Sequence, residues 1–139
     1  MMGSLAIVHD GSYMPHVAKD ICSAEFMIYC KNYKFKAKGS VVKQSSDADN
    51  YRAKILGGVM IQLILRAASQ RRSSPYRPAP VECDNMGVVT HGNSPRRALP
   101  EKQAQADVLR CLESLIFEQP FEVKFNWVAA HQDNHKRWS

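Results

Sequence analysis

Stretches of period-two hydrophobicity followed by one long stretch of helical period constrain this chain more than any other feature. At 25–30, Phe26, Ile28 and Cys30 alternate with Glu25, Met27 and Tyr29. At 33–44, Tyr33, Phe35 and Ala37 alternate with Lys34, Lys36 and Lys38, before Gly39, Ser40 and the apolar pair Val41 and Val42. Successive side chains of an extended chain point to opposite faces, so both segments read as strands, the second with room for a bulge at Gly39. Ahead of them, residues 4–9 form a short, apolar, β-branched run stopped by the turn chemistry of Asp10-Gly11-Ser12. That run reads as a buried strand ending at an aspartate. Short connections between three successive strands favour an antiparallel meander.

The pattern then changes. Over 51–69, Ile55, Val59 and Leu63, and beside them Leu56, Met60 and Ile64, recur at a spacing of four, preceded by the capping types Asp47, Asp49 and Asn50. This predicts a long central helix with Ile55, Val59 and Leu63 in the core. Residues 70–80 are rich in Arg and Ser and hold Pro75, Pro78 and Pro80, so they read as a surface loop. A brief strand over 80–83 closes at Asp84, and Asn85 suits the cap of a short helix over 86–91. Pro100 and Glu101 suit the first turn of a third helix reaching residue 118, with Ala104, Val108, Leu112 and Leu115 on one face. Phe121, Val123, Phe125 and Trp127 alternate with polar residues in a last strand that stops before His131. The order β-β-β-α-β-α-α-β predicts an α/β fold, a mixed five-stranded sheet with helices packed on it. One domain over 1–139 is expected, with 70–80 as a loop and 134–139 as a tail.

The formal charge of +6 and pI near 9.3 favour a polyanionic partner. Cys22, Cys30, Cys83 and Cys111 form no C-x-x-C pair, which fits a reducing compartment. No apolar run approaches the ~20 residues that cross a bilayer, so a soluble, intracellular monomer is expected, with nucleus and cytoplasm not separated.

The residues that close the elements carry a resemblance. Asp10-Gly11-Ser12 ends the first strand, and Asn50-Tyr51-Arg52-Ala53-Lys54-Ile55-Leu56-Gly57 opens the long helix. Asp84-Asn85 ends the fourth strand, and Trp127-Val128-Ala129-Ala130-His131-Gln132-Asp133 follows the last. In that order these features resemble the ribonuclease H family, in particular the domains attached to retroelement reverse transcriptases. The resemblance implies metal-dependent endonucleolytic hydrolysis of RNA in RNA–DNA hybrids. It implies Asp10, Asp84 and Asp133 as ligands of Mg²⁺ or Mn²⁺ and His131 as a proton shuttle. Ser12, Asn85, Arg71 and Arg72 would contact nucleic acid, and a reverse transcriptase domain is an implied partner. Members usually add a helix carrying or following the fourth carboxylate; the chain stops at Ser139, so that helix is expected to be missing.

One residue departs from the pattern. Lys54 stands where the family's helix has a glutamate. Two Mg²⁺ ions about 4 Å apart need several converging carboxylates, because Mg²⁺ is hard and prefers oxygen ligands. Position 54 shares a helix face with Gly58, Ile61 and Leu65, so its ammonium is directed toward the sheet, where the resemblance implies Asp10 or Asp84 as the nearest counter-charge. A degenerate or inactive site follows. The alternative is a Lys54 that swings free of two usable aspartates. Each other candidate also has a plainer reading: His131 and Asp133 as ordinary loop residues, Asn85 as a cap, and Arg71, Arg72 and Arg77 as a solvated loop. Lys34, Lys36 and Lys38 have theirs as residues that keep a sheet edge soluble. His9, one residue before Asp10, faces the opposite side and reads as structural. The function is thus an impaired nuclease, a non-catalytic nucleic-acid-binding or protein-interaction module, or a decayed retrotransposon fragment.

Overall fold

The computed structural model describes residues 5–30, 35–70, 80–94, 99–100 and 102–129. Its elements follow the expected order: β1 (Leu5–Tyr13), β2 (Ile21–Cys30), β3 (Phe35–Gln44), α1 (Asn50–Gln70), β4 (Val81–Cys83), α2 (Met86–Asn93), α3 (Ala106–Glu118) and β5 (Phe125–Trp127). They form one five-stranded sheet in the order β3-β2-β1-β4-β5. The β1–β2 and β2–β3 pairs are antiparallel, and the β1–β4 and β4–β5 pairs are parallel. Ile7, Val81 and Phe125 of the sheet meet Ile55, Ile61 and Leu65 of α1 and Leu109, Leu112 and Ile116 of α3 in one core. No helix among the described residues is long and apolar enough to cross a membrane.

Asp10-Gly11-Ser12 is not a turn. β1 runs through it to Tyr13, paired with β2 from Leu5↔Cys30 to Tyr13↔Cys22, and β2 correspondingly begins at Ile21. The glycine answers a different need, the close passage of α1. A Cβ at Gly11 would lie 2.3 Å from the Ala53 carbonyl carbon and 2.5 Å from the Lys54 amide nitrogen. Backbone atoms cannot swing aside, so Gly11→Ala is expected to push α1 off the sheet and cost about 1–3 kcal/mol, the usual range for overpacking. Urea denaturation measures that loss; an unchanged midpoint would show the helix to be less tightly seated.

Gly39 has the same logic. The expected bulge is absent, for the β2–β3 register is continuous from Ile21↔Gln44 to Cys30↔Phe35. Gly39 lies opposite Phe26, and a Cβ there would come 2.4 Å from the ring. The glycine makes room for the aromatic face without breaking the ladder.

Three further expectations change. The third helix starts at Ala106, not at Pro100, so Ala104 lies outside it. Pro100 instead caps a turn in which the Gln103 amide donates to its carbonyl at 3.1 Å, and Gln105 then takes a left-handed backbone, φ 57°. The strain of that conformation, about 1–3 kcal/mol, is held by the Gln105 side chain, which donates to the Asp47 carbonyl and accepts from Arg52. β5 is only Phe125–Trp127, because β4 offers it three partners, Val81, Glu82 and Cys83. Phe121 and Val123 still pack against the core. Leu63 is 44% exposed while Ile55 and Val59 are buried. A spacing of four overshoots the helical turn by about 40° each time, and two steps rotate residue 63 out of the core stripe.

Candidate active site

The parallel ladder between β1 and β4 pairs Ile7 with Val81 and Val8 with Glu82. Counting on by two brings Asp10 level with Asp84, on the same face, just beyond the last paired residues. α1 crosses here, its backbone seated against Gly11, so its first turns overhang both aspartates. Gly58, Ile61 and Leu65 are buried on the same side of the helix as position 54, as the spacing requires.

Lys54 reaches both carboxylates. Its Nζ donates to Asp10 Oδ1 at 2.9 Å, to Asp84 Oδ1 at 2.7 Å and to Asp84 Oδ2 at 2.9 Å. An ammonium has three N–H bonds, and each finds a carboxylate oxygen. Asp10 Oδ1 also accepts from the Gly11 amide at 2.7 Å. The side chains are 17% exposed for Lys54, 27% for Asp10 and 9% for Asp84. Burial works against the Lys54 ammonium, yet the hydrogen bonds and charges of Asp84 and Asp10 together outweigh it, so its pKa is raised and the cation stays in place.

The donor set does not fit a pair of hard cations. The sequence reasoning assigned Asp10 and Asp84 to that work, and the structure does bring them together, but against an ammonium. Among the described residues no group of three or more His, Cys, Asp or Glu side chains is placed to hold a metal ion. Cys83, beside Asp84, adds no thiolate, because burial pushes its thiol up to about 12. With two carboxylates and one ammonium, the cluster keeps one net negative charge and braces the start of α1 against two strands.

The other candidates separate. Ser12 lies in β1, two residues beyond Asp10 and on the same face, opposite Ser23. Asn85 is the cap of α2, its Oδ1 accepting from the Val88 amide at 3.0 Å. His131, Asp133, Arg71 and Arg72 lie outside the described residues.

Sequence reasoning missed the clamp behind the site. Arg52 makes a two-bond fork to Asp107, Nη1 to Oδ1 and Nη2 to Oδ2 both at 3.0 Å, and its Nη1 also donates to Gln105 Oε1 at 2.9 Å. This ties the start of α1 to the start of α3, one half-turn from Lys54. An arginine two residues before the helix's inward-facing lysine was the only signal, and it names no partner. His91 and the buried Glu113 form a second missed pair at 3.2 Å between α2 and α3.

No protein-family model matches the sequence, and no curated protein does. Solved structures match it in shape. RNase H1 from the halophilic archaeon Halobacterium salinarum NRC-1 is 11% identical, with a TM-score of 0.67 over 97% of this chain and 91% of that one. LC11-RNase H1, isolated from compost by a metagenomic approach, is also 11% identical, with a TM-score of 0.71 over 98% of this chain and 91% of that one. The same LC11 enzyme has been solved in complex with an RNA/DNA hybrid. The prototype foamy virus protease-reverse transcriptase is 13% identical, with a TM-score of 0.58 over 94% of this chain and 18% of that one. Likeness at such identities is likeness of fold, and the fold is ribonuclease H-like: a mixed five-stranded sheet with helices packed on it.

Proposed function

We propose that this chain is a nucleic-acid-binding domain of ribonuclease H-like fold, directed to RNA–DNA hybrids, in which metal-dependent cleavage is silenced by Lys54. The observation that carries the reading is the ammonium donating to both Asp10 and Asp84 at 2.7–2.9 Å. Fold likeness to an enzyme solved on an RNA/DNA hybrid supports the choice of ligand. So does the sequence, in which Lys and Arg concentrate at 31–38, 71–77, 96–97 and 136–137. These segments, Arg71 and Arg72 among them, would meet phosphates, while the cluster of Asp10, Asp84 and Lys54, with one net negative charge, would grip none. His131 and Asp133 would be remnants of the ancestral chemistry.

The likeness to a reverse transcriptase, together with the segment from Trp127 to Asp133, supports a retroelement origin and a reverse transcriptase domain as partner. Buried free thiols at Cys22 and Cys83 fit a reducing, intracellular setting, nuclear or cytoplasmic. A single domain over 1–139 acting as a monomer completes the proposal.

A gel shift on hybrid duplex, run beside a cleavage assay in Mg²⁺ and in Mn²⁺, tests it. Binding that weakens steeply with salt, is indifferent to EDTA and yields no cut product is the expected result. Metal-dependent cleavage by the unaltered chain would replace this reading with that of an active nuclease.

A further inference from the structure

The connection between β3 and α1 is short, acidic and turned outward. Ser45-Ser46-Asp47-Ala48-Asp49 joins Gln44 to Asn50. The Ala48 amide donates to the Ser45 carbonyl at 3.2 Å, closing a tight turn with Ser46 and Asp47 at its two central positions. Neighbouring elements pin that turn. The Ser45 amide donates to the Asp20 carbonyl at 2.7 Å, and the Gln105 side chain donates to the Asp47 carbonyl at 2.8 Å. The main chain is thus engaged, while the side chains of Ser46 and Asp47 are exposed.

The two serines are not equivalent. Ser45 is half-buried, and its Oγ accepts from the Asp47 amide at 3.1 Å. Ser46 is exposed, and its hydroxyl has no hydrogen-bond partner among the described residues. Carboxylates stand one and three residues after Ser46, at Asp47 and Asp49, but two and four residues after Ser45. Asp49 accepts from the Arg52 amide through Oδ1 at 2.7 Å, and neither Asp47 nor Asp49 is in an ion pair among the described residues.

A free hydroxyl held out on a turn, with unpaired carboxylates at fixed places after it, suits an enzyme that has a basic groove and acts on hydroxyls. Charge-assisted hydrogen bonds from Lys and Arg side chains would hold the two aspartates and set Oγ in line with a phosphoryl group. Lys43, three residues before Ser46, is a single basic residue against those two carboxylates.

We infer that Ser46 is a phosphorylation site for an acidophilic protein kinase, recognised through Asp47 and Asp49. The Ser46 Oγ forms a bond to the γ-phosphorus of ATP, and the bond from that phosphorus to the β,γ-bridging oxygen breaks. ADP leaves, and the hydroxyl proton passes to a carboxylate of the kinase. The roughly two negative charges gained stand ahead of α1, whose first turn has no acidic residue of its own and whose N-terminal end is electropositive. The folded chain therefore accommodates them. The inference does not depend on the hybrid-binding reading.

The test incubates the full chain with Mg²⁺, ATP radiolabelled at its γ-phosphate and a purified acidophilic serine kinase of the casein kinase type, and locates the label by mass spectrometry. Incorporation at Ser46 is expected, and Ser46→Ala should abolish it. Asp47→Asn and Asp49→Asn should each lower kcat/KM for transfer about tenfold, the loss of one charged contact. Ser45→Ala and Lys43→Gln should leave it within about twofold. Ser46→Ala removes an unbonded hydroxyl and asparagine still caps a helix, so these variants should melt with the parent. No incorporation into the parent, incorporation that skips Ser46, or transfer indifferent to both aspartates overturns the inference. So does transfer lost with Lys43→Gln alone, which would assign the site to a kinase that reads basic residues.

Discussion

Lys54→Glu is expected to weaken the fold without divalent metal and to create a metal-dependent activity the parent lacks. The substitution removes three charge-assisted hydrogen bonds and sets a third carboxylate against Asp10 and Asp84. Removing one partner of a buried pair costs about 3–5 kcal/mol, and the partial exposure of this cluster brings the figure to about 3 kcal/mol. For a chain of this size that is a fall in melting temperature of about 10 °C. Added Mg²⁺ or Mn²⁺ should recover much of the loss, because ions that bind only the folded state stabilise it by mass action. Cleavage of hybrid should then appear in the variant alone. Lys54→Met is the control, since it deletes the cation without adding a ligand: it should lose stability, gain nothing from metal and cut nothing. Should Lys54→Glu melt like the parent and ignore Mn²⁺, the ion-pair account of the site is wrong.

This site was legible because each member stands where two local rules meet. Asp10 closes the apolar run of β1 and Asp84 follows the last residue of β4, and Lys54 falls on the helix face shared with Gly58, Ile61 and Leu65. Spacing turned the ammonium toward the sheet, and the resemblance to the ribonuclease H family supplied Asp10 or Asp84 as its partner. That it would take both, and not one, depended on the β1–β4 register, which no local pattern encodes. Glycine was the main source of misreading. A glycine that turns a chain and a glycine that lets a helix or an aromatic ring come close carry the same letter, and Gly11 and Gly39 are both of the second kind. None of the described glycines has positive φ; the left-handed residue is Gln105, held by two side-chain bonds that sequence gives no means of foreseeing. The length of β5 likewise depends on β4, a strand distant in sequence.

Read as structural from its place beside Asp10, His9 turns out to be an acid-sensitive point in the core. It is 1% exposed, both ring nitrogens are without a hydrogen-bond partner among the described residues, and its ring meets Phe125 edge-on at 6.1 Å. Gly57 and Gly58 admit it beneath α1, for a Cβ at Gly57 would come 2.6 Å from Nδ1. Burial lowers its pKa to about 4, against a smaller upward pull from Asp10, with Lys54 adding a further downward push. The unfolded chain takes up this proton near pH 6.5 and the folded chain only near pH 4, so between those values the unfolded state binds more protons. The stability that a neutral His9 confers is whole above pH 6.5 and drains away as pH falls toward 4, a loss of about 3 kcal/mol from this residue. Urea denaturation of the parent and of His9→Leu at several pH values between 7 and 4 isolates it, because acid effects on the carboxylates are common to both and cancel in the difference. The variant should at least equal the parent at pH 7, since it relieves two unpaired polar atoms, and its advantage should widen by about 3 kcal/mol toward pH 4. A constant difference across that range would mean that His9 finds a partner for its proton, and that the space beneath Gly57 and Gly58 is not as dry as its packing implies.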